Sequence, residues 1–318
     1  MKILALHGLG SSSSMFKEQL RPFIRELGPS CQFVFLDGAI SCGRGPGKIF
    51  RLKLAYARQN VVLNFGYAAV PAWANGPFWS HATGFTPSEM REAFHRLDEF
   101  IRDNGPFDGV LGFSLGAAMA MSYILHQQRT KPDAKPPFCF ATLFSPIFVA
   151  SSDDACYEGL ISRLLDDEHA LFRSAFPHDD FRSMLDSEDE QTFAEYLRVV
   201  LSMYTSVENI LPGNNTRFEF FEDTSSVKAE NVPRLLHPVL TRDRVRIPTV
   251  VVTGEKDVGA MAEQSRVAQR LCKASLKWKY RHDGGHDMPF KRSDVQAIVS
   301  CMMEAAEEGG ELSSLYDF

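Results

Sequence analysis

Six short segments, most of them strongly apolar, recur along the chain and are closed by glycine, proline or polar residues. Apolar runs of this length, rich in Val, Ile, Leu and Phe, are typical of strands that are buried on both faces of a sheet. We therefore predict strands at residues 2–6, 31–36, 108–113, 138–144, 247–253 and 276–280.

Between these runs the apolar positions change to helical spacing. Two helix starts carry capping signals: Thr86 is followed by Pro87 and Glu89, and Ser293 is followed three residues later by Gln296. Pro22 is expected either to bend the first helix or to open its second part. The predicted helices cover residues 15–27, 86–104, 115–128, 261–272 and the segment from Ser293 onward.

Strands that alternate with helices predict an α/β protein with a mostly parallel sheet and helices on both faces. Two stretches interrupt the alternation: residues 58–85, which are rich in aromatic residues, and residues 150–245. We expect a single domain over residues 1–318, with residues 150–245 inserted as a cap or lid. The aromatic stretch either lines an apolar channel for a substrate or fills a satellite core. One amphipathic helix in the insertion is predicted from Phe193, Leu197, Val200, Leu201 and Tyr204.

Composition narrows the function classes. The 318 residues are 44 % hydrophobic and 23 % charged, with a net charge of −6, so the chain has neither a disordered composition nor the basic surface of a nucleic-acid binder. No apolar run is long enough to cross a membrane, and the run at residues 3–6 is too short for a signal peptide. The six cysteines are scattered, which predicts reduced thiols and a cytoplasmic protein without a membrane partner.

The candidate chemistry begins at residues 112–116, which read Gly-Phe-Ser-Leu-Gly. This G-x-S-x-G follows a predicted strand and opens a predicted helix, which is the context of a nucleophile elbow. Glycines on both sides of the serine relieve the crowding of such a tight turn. Ser114 is therefore the candidate nucleophile, and an ordinary strand-to-helix turn is the alternative.

A serine nucleophile needs a base and an orienting acid, which follow it along the chain in the order acid, then histidine. Asp257 follows the strand at 247–253, and His286 follows the strand at 276–280. In this reading Ser114 attacks a carbonyl, His286 takes and returns the proton, and Asp257 fixes the imidazole. Asp283 and Asp287 are rivals for the acid role, although both lie too close to His286 in sequence to approach its ring from a separate strand.

His282 and His286 also suggest a second interpretation, because two histidines four residues apart can bind a metal on a helix. Gly284 and Gly285 between them make a helix improbable. We therefore expect no metal, and because the sequence carries no nucleotide or flavin motif we expect no cofactor.

Hydrolysis through a serine also needs two backbone N–H groups that stabilise a developing oxyanion. The residue after the nucleophile, Leu115, supplies the first, and the glycine-rich turn after the first strand supplies the second. Within His7-Gly8-Leu9-Gly10 we choose Leu9 as that donor, with a plain turn as the alternative. His7 is expected to be a structural turn residue.

With these motifs the chain resembles the fungal serine-hydrolase family of α/β-hydrolases, often found in secondary-metabolite clusters. The resemblance rests on segments spread over most of the chain, of which the block at 105–116 is the most specific. The family often has Gln where Leu115 stands, a change that leaves the backbone N–H in place. The matching segments are residues 4–8, 105–116, 253–257 and 284–286.

Residues 232–240 resemble members of that family that serve polyketide synthases. The resemblance implies a thioesterase that releases or edits a polyketide chain held on an acyl carrier protein. A general carboxylesterase for small esters and a catalytically idle binding protein are the alternatives. Arg242, Arg244 and Arg246 alternate along the chain and share one face if it is extended, so they form either a docking stripe for an acidic carrier or a solvated surface strand.

Overall fold

A computed structural model of the protein describes residues 1–45, 49–54, 61–66, 70, 74–177, 180–206, 228–257 and 259–316, with the backbone alone at 49–54, 61–66 and 200–206. The ten strands in these residues are β1 (Lys2–Leu6), β2 (Gln32–Leu36), β3 (Ile40–Ser41), β4 (Ile49–Leu54), β5 (Val61–Gly66), β6 (Trp79–Ser80), β7 (Gly109–Phe113), β8 (Phe140–Phe144), β9 (Thr249–Gly254) and β10 (Lys277–His282). The nine α-helices there are α1 (Ser13–Gln19), α2 (Arg21–Leu27), α3 (Pro87–Asn104), α4 (Leu115–Thr130), α5 (Glu158–Leu164), α6 (Ala170–Ala175), α7 (Glu188–Ser206), α8 (Gly259–Arg270) and α9 (Arg292–Ser314).

The six predicted strands form one sheet in the order β10-β9-β8-β7-β1-β2. Every pairing in it is parallel, so the carboxyl ends of all six strands lie along one edge. Two small antiparallel pairs, β3 with β6 and β4 with β5, stand outside this sheet. The prediction of a mostly parallel sheet is confirmed.

Helices cover both faces of the sheet because successive residues of a strand point to opposite sides. In β1, Ile3 and Ala5 belong to an apolar cluster with residues of α1, α2 and α9. Leu4 and Leu6 belong to a second cluster with residues of α3, α4 and α8. This three-layer arrangement is the α/β-hydrolase architecture that the sequence predicts.

Local sequence signals predict two of the helix starts correctly and a third wrongly. Thr86 and Glu89 form the predicted capping box at α3, and Pro22 opens α2 as the second of two short helices. The predicted capping box at Ser293 is wrong. The N–H of Val295 donates to the carbonyl of Lys291 at 3.0 Å, so Ser293 already lies in the first turn of α9.

The insertion between β8 and β9 contains α5, α6 and α7. Phe193 and Leu197 of the predicted amphipathic helix are buried, and the side chains of its other three members lie outside the described residues. The apolar cluster that contains Leu4 also contains Phe172 and Phe193, so one core connects the insertion with the sheet. No helix among the described residues combines the length and apolar character needed to cross a bilayer.

The aromatic stretch at 58–85 is described only in part. Phe85 is buried and its ring centroid lies 5.4 Å from that of Phe148, so this residue packs in the core. Tyr67 and Trp73 lie outside the described residues.

Candidate active site

Ser114 occupies a strained turn between β7 and α4. Its backbone φ of 54° and ψ of −115° lie in a region that residues other than glycine rarely adopt. The N–H of Ser114 donates to the carbonyl of Phe144 at 2.8 Å, and the carbonyl of Ser114 accepts from Ala118 at 3.0 Å. These bonds to a neighbouring strand and to the following helix hold the serine at the carboxyl edge of the sheet.

The two flanking glycines are required by close backbone contacts. A Cβ at position 112 would lie 2.5 Å from the nitrogen of Ala117, and one at position 116 would lie 2.2 Å from the carbonyl oxygen of Leu6. A methyl group at either position therefore displaces α4 from β7 or β1. The sequence pattern and the geometry agree on the elbow.

His286 and Asp257 reach Ser114 from two neighbouring loops, which follow β10 and β9. The Nε2 atom of His286 lies 2.9 Å from Oγ of Ser114. Its Nδ1 atom lies 2.9 Å from a carboxylate oxygen of Asp257. One continuous path of hydrogen bonds thus connects the hydroxyl, the imidazole and the carboxylate.

Backbone contacts hold the two loops together. The N–H of Lys256 donates to the carbonyl of Gly284 at 2.8 Å. A Cβ at position 254 would lie 2.0 Å from the carbonyl oxygen of Gly285, so only glycine allows this approach. The distance between Asp257 and His286 is therefore set by the backbone.

The environment of His286 favours its protonated form. Burial on its own lowers the pKa of this imidazole, but the charge of Asp257 and its hydrogen bond outweigh burial, and Asp287 adds to them. The pKa of His286 is raised above its ordinary value as a result. While it is neutral, an imidazole with a raised pKa is a good acceptor for the proton of a neighbouring hydroxyl, and the carboxylate stabilises the imidazolium that results.

The two rival carboxylates have other partners. Asp283 is exposed and forms an ion pair with Lys291. Asp287 lies 3.9 Å from Nδ1 of His282, and burial raises the pKa of its carboxyl group. Asp257 is the carboxylate that contacts His286.

His282 and His286 do not share one site. His282 is the last residue of β10, and its Nδ1 atom accepts a hydrogen bond from the N–H of Gly284 at 3.2 Å. His286 faces Ser114 and Asp257 instead. Across the part of the chain that the structure describes, no three His, Cys, Asp or Glu residues are grouped as metal ligands.

The glycine-rich turn after β1 lies against the nucleophile. A Cβ at Gly8 would be 3.4 Å from the Cβ of Ser114. Gly10 has a positive φ of 65°, and its carbonyl accepts from Gly45 at 2.8 Å. No hydrogen bond from the N–H of Leu9 or from that of Leu115 to a protein acceptor is found among the described residues.

A buried histidine pair supports this turn, and the sequence motif contains only one of its members, His7. The Nδ1 atom of His7 lies 2.7 Å from the carbonyl oxygen of Gly8, and its Nε2 atom accepts from the N–H of Gly38 at 3.0 Å. His81 lies 3.1 Å from the carbonyl oxygen of His7 through its Nε2 atom. Burial lowers the pKa of both rings, and the neighbouring His7 lowers that of His81 further. His81 stands 74 residues from His7, and no sequence signal connects them.

The three alternating arginines lie away from this site. They precede β9 and so stand at the amino edge of the sheet, whereas Ser114 stands at the carboxyl edge. Arg242 and Arg246 are exposed, but the guanidinium of Arg244 donates to the carbonyls of Thr241, Asp243 and Pro238. Arg244 is therefore turned into its own loop, so the three arginines do not form the docking stripe that was one of the two alternatives.

The chain matches one protein-family model and is similar to several fungal hydrolases. Residues 1–298 match the family model described as serine hydrolase (FSH1). The chain is similar to esterase alnB of Emericella nidulans, with 32 % identity over 296 residues that cover 93 % of each protein. It is also similar to serine hydrolase cnsH of Penicillium expansum, with 29 % identity over 72 % of this chain and 89 % of that one. Hydrolase FUB4 of Fusarium oxysporum is 26 % identical over 96 % of this chain and 98 % of its own.

Proposed function

Because this chain belongs to the FSH1 family of serine hydrolases, we propose that Ser114, His286 and Asp257 are its catalytic triad. The observation that carries the proposal is the hydrogen-bond path from Oγ of Ser114 through both nitrogens of His286 to Asp257, with 2.9 Å at each step. The enzyme uses no metal and no cofactor in this mechanism, because the three side chains supply the nucleophile, the base and the orienting charge.

The reaction proceeds through an acyl-enzyme. Oγ of Ser114 attacks the substrate carbonyl while its proton moves to Nε2 of His286. The tetrahedral intermediate collapses, and His286 gives that proton to the departing thiol or alcohol. Water then attacks the acyl-serine with His286 again as the base, which releases the acid and restores the serine. The N–H groups of Leu9 and Leu115 stabilise the negative oxygen in both steps.

The substrate is an acyl thioester, and the function is release or editing of a polyketide chain on an acyl carrier protein in fungal secondary metabolism. The support is the resemblance of residues 232–240 to family members that serve polyketide synthases. Val232, Leu235 and Leu236 in that segment are buried in the core, so the support from this segment is its resemblance and not a substrate contact by these side chains. In this proposal residues 150–245 form the cap of a single domain. The scattered cysteines, read as reduced thiols, support a cytoplasmic location for the enzyme.

A small-ester carboxylesterase is the second candidate function. It is supported by the similarity to a protein named an esterase, and the same triad chemistry serves both leaving groups.

The nucleophile is tested with a fluorophosphonate probe and intact-mass measurement. We expect one adduct on the native protein and none on Ser114→Ala, since the probe reacts with an activated serine. Asp283→Asn is the matched control, because its exposed carboxylate pairs with Lys291 away from the triad. A native protein without an adduct would contradict the enzyme mechanism and favour an idle binding protein.

The leaving group is tested with one acyl chain in three forms: on a carrier protein, as an N-acetylcysteamine thioester and as an ethyl ester. We expect kcat/KM to fall in that order. Equal or faster turnover of the ethyl ester would replace the thioesterase proposal with the esterase one. Ser114→Ala is measured beside each substrate to subtract spontaneous hydrolysis.

A further inference from the structure

We propose that His7 is a positioning residue that orients the Gly8–Leu9 peptide, so that the Leu9 N–H faces the reacting carbonyl of the substrate. This inference rests on the proposed acyl-enzyme function. In this role His7 acts through the backbone without touching Ser114, and its hydrogen bonds hold the glycine-rich turn after β1 in one conformation.

The tautomer of His7 follows from its two partners. The N–H of Gly38 can only donate, so Nε2 of His7 must be the unprotonated nitrogen that accepts from it at 3.0 Å. In a neutral ring the proton is then on Nδ1, and it is donated to the carbonyl oxygen of Gly8 at 2.7 Å. Burial keeps the ring neutral by lowering its pKa, so both bonds persist at physiological pH.

The position of the ring fixes the direction of the peptide. Gly38 follows β2, so the His7 ring and the Gly8 carbonyl that it binds lie on the β2 side of β1. The C=O and N–H of a trans peptide point in opposite directions, and Gly8–Leu9 is not one of the cis bonds. The N–H of Leu9 therefore points to the β7 side of β1, where Ser114 stands.

A second set of contacts holds the ring in place. His81 contacts the carbonyl oxygen of His7 through Nε2, with the two ring centroids 4.4 Å apart. A Cβ at Gly38 would lie 2.3 Å from the carbonyl oxygen of Ser80, so the loops that carry Gly38 and His81 are in direct contact. His7 is completely buried, so its hydrogen bond to the Gly8 carbonyl is shielded from competition by water.

Two substitutions separate the two hydrogen bonds of His7. The side-chain amide of His7→Asn can place an N–H where Nδ1 stands, which keeps the bond to Gly8 and loses the bond to Gly38. His7→Gln places its amide oxygen near Nε2, which keeps the bond to Gly38 and loses the bond to Gly8. Each variant loses one buried hydrogen bond, so a purely structural role lowers Tm and activity similarly in both.

We expect His7→Gln to lose about 10²-fold in kcat with KM changed less than about threefold, as when one oxyanion donor is removed. His7→Asn should stay within about tenfold of the native kcat, because the peptide remains oriented. A boronic acid that forms a tetrahedral adduct on Ser114 should bind His7→Gln correspondingly less tightly, whereas the free acid product should bind both variants alike.

Three outcomes are distinguishable. Equal losses of kcat in the two variants, parallel to their losses in Tm, would overturn the positioning role. Native activity in His7→Gln would overturn it as well. If the native protein neither hydrolyses esters or thioesters nor forms a fluorophosphonate adduct, the proposed function itself fails, and the positioning role that rests on it is overturned with it.

Discussion

Replacing Asp257 by Asn removes one charge from the centre of the triad and leaves a side chain of nearly the same shape. The Asp257 side chain is 1 % exposed and that of His286 is 10 % exposed, so water cannot take over the role of the carboxylate. During attack by Ser114 the imidazole becomes an imidazolium, and the carboxylate stabilises that charge. The substitution therefore acts on the transition state more than on substrate binding, and kcat should fall while KM changes little.

The size of the loss follows from the geometry. With 2.9 Å between Nδ1 and the carboxylate oxygen, the two charge centres lie roughly 4 Å apart, and their attraction is about 4 kcal/mol at an effective dielectric constant near 20. Each 1.4 kcal/mol is about tenfold in rate, so this term alone gives roughly 10³-fold. The amide also favours the wrong imidazole tautomer, and we expect a total loss of about 10³- to 10⁴-fold in kcat.

The pH profile gives an independent readout. Only the neutral imidazole can accept the serine proton, so the rate rises with pH through the pKa of His286, which Asp257 raises above its ordinary 6.5. Without the carboxylate, burial dominates and that pKa falls. The rising limb of kcat/KM for a nitrophenyl ester, measured from pH 5 to 9, should thus move from above 6.5 to a lower pH in Asp257→Asn.

Asp283→Asn is the matched control, since this exposed carboxylate pairs with Lys291 and makes no hydrogen bond to His286 among the described residues. We expect its rate to remain within about threefold of the native value. An Asp257→Asn enzyme with the native rate and an unmoved limb would show that another group orients the histidine.

Three further predictions concern the scaffold. Gly116→Ala should lose about 10²-fold in kcat, because a Cβ 2.2 Å from the Leu6 carbonyl displaces the elbow by about 1 Å; a fully active variant would contradict the elbow geometry. In α9, Gly309→Ala should lower Tm, since its Cβ would lie 2.2 Å from the carbonyl of Cys139. The Cβ of Gly310→Ala meets nothing within 4 Å, so this variant should raise the free energy of unfolding by about 1 kcal/mol, measured by calorimetry. Stability changes of the same sign in the two variants would refute the contact at Gly309. The double charge reversal Arg242→Glu with Arg246→Glu should change kcat/KM for a carrier-bound thioester by less than about twofold, because β9 separates these residues from the site by roughly 20 Å; a larger, salt-dependent loss would restore them as a docking surface.

The sequence is informative where a local rule determines the structure. The six strands follow from apolar runs, and the capping box at Thr86 is satisfied within four residues of chain. The elbow at Ser114 is recognisable because sterics demand small residues on both sides of it. Candidates for the acid and base follow from chain order, since parallel strands bring their carboxyl ends to one edge.

The features that sequence reasoning missed depend on contacts between distant segments. Ser293 is a residue type that often caps helices, yet α9 begins before it, because the carbonyl of Lys291 accepts the first helical hydrogen bond, from Val295. The orientation of the Arg244 side chain is set by hydrogen bonds from its guanidinium to backbone carbonyls of its own loop. The pairing of His7 with His81 joins positions far apart in the chain and leaves no periodic or motif signal at either residue.

The hydrogen bond between Ser114 and His286 joins positions 172 residues apart. During synthesis the serine leaves the ribosome long before the histidine, and at about 5–20 residues per second the delay is roughly 10–30 s. The nascent chain carries no complete triad in that interval. Reactivity of Ser114 toward a phosphonate probe therefore reports the late docking of β9 and β10, and a time course of labelling measures how quickly the finished chain closes its sheet.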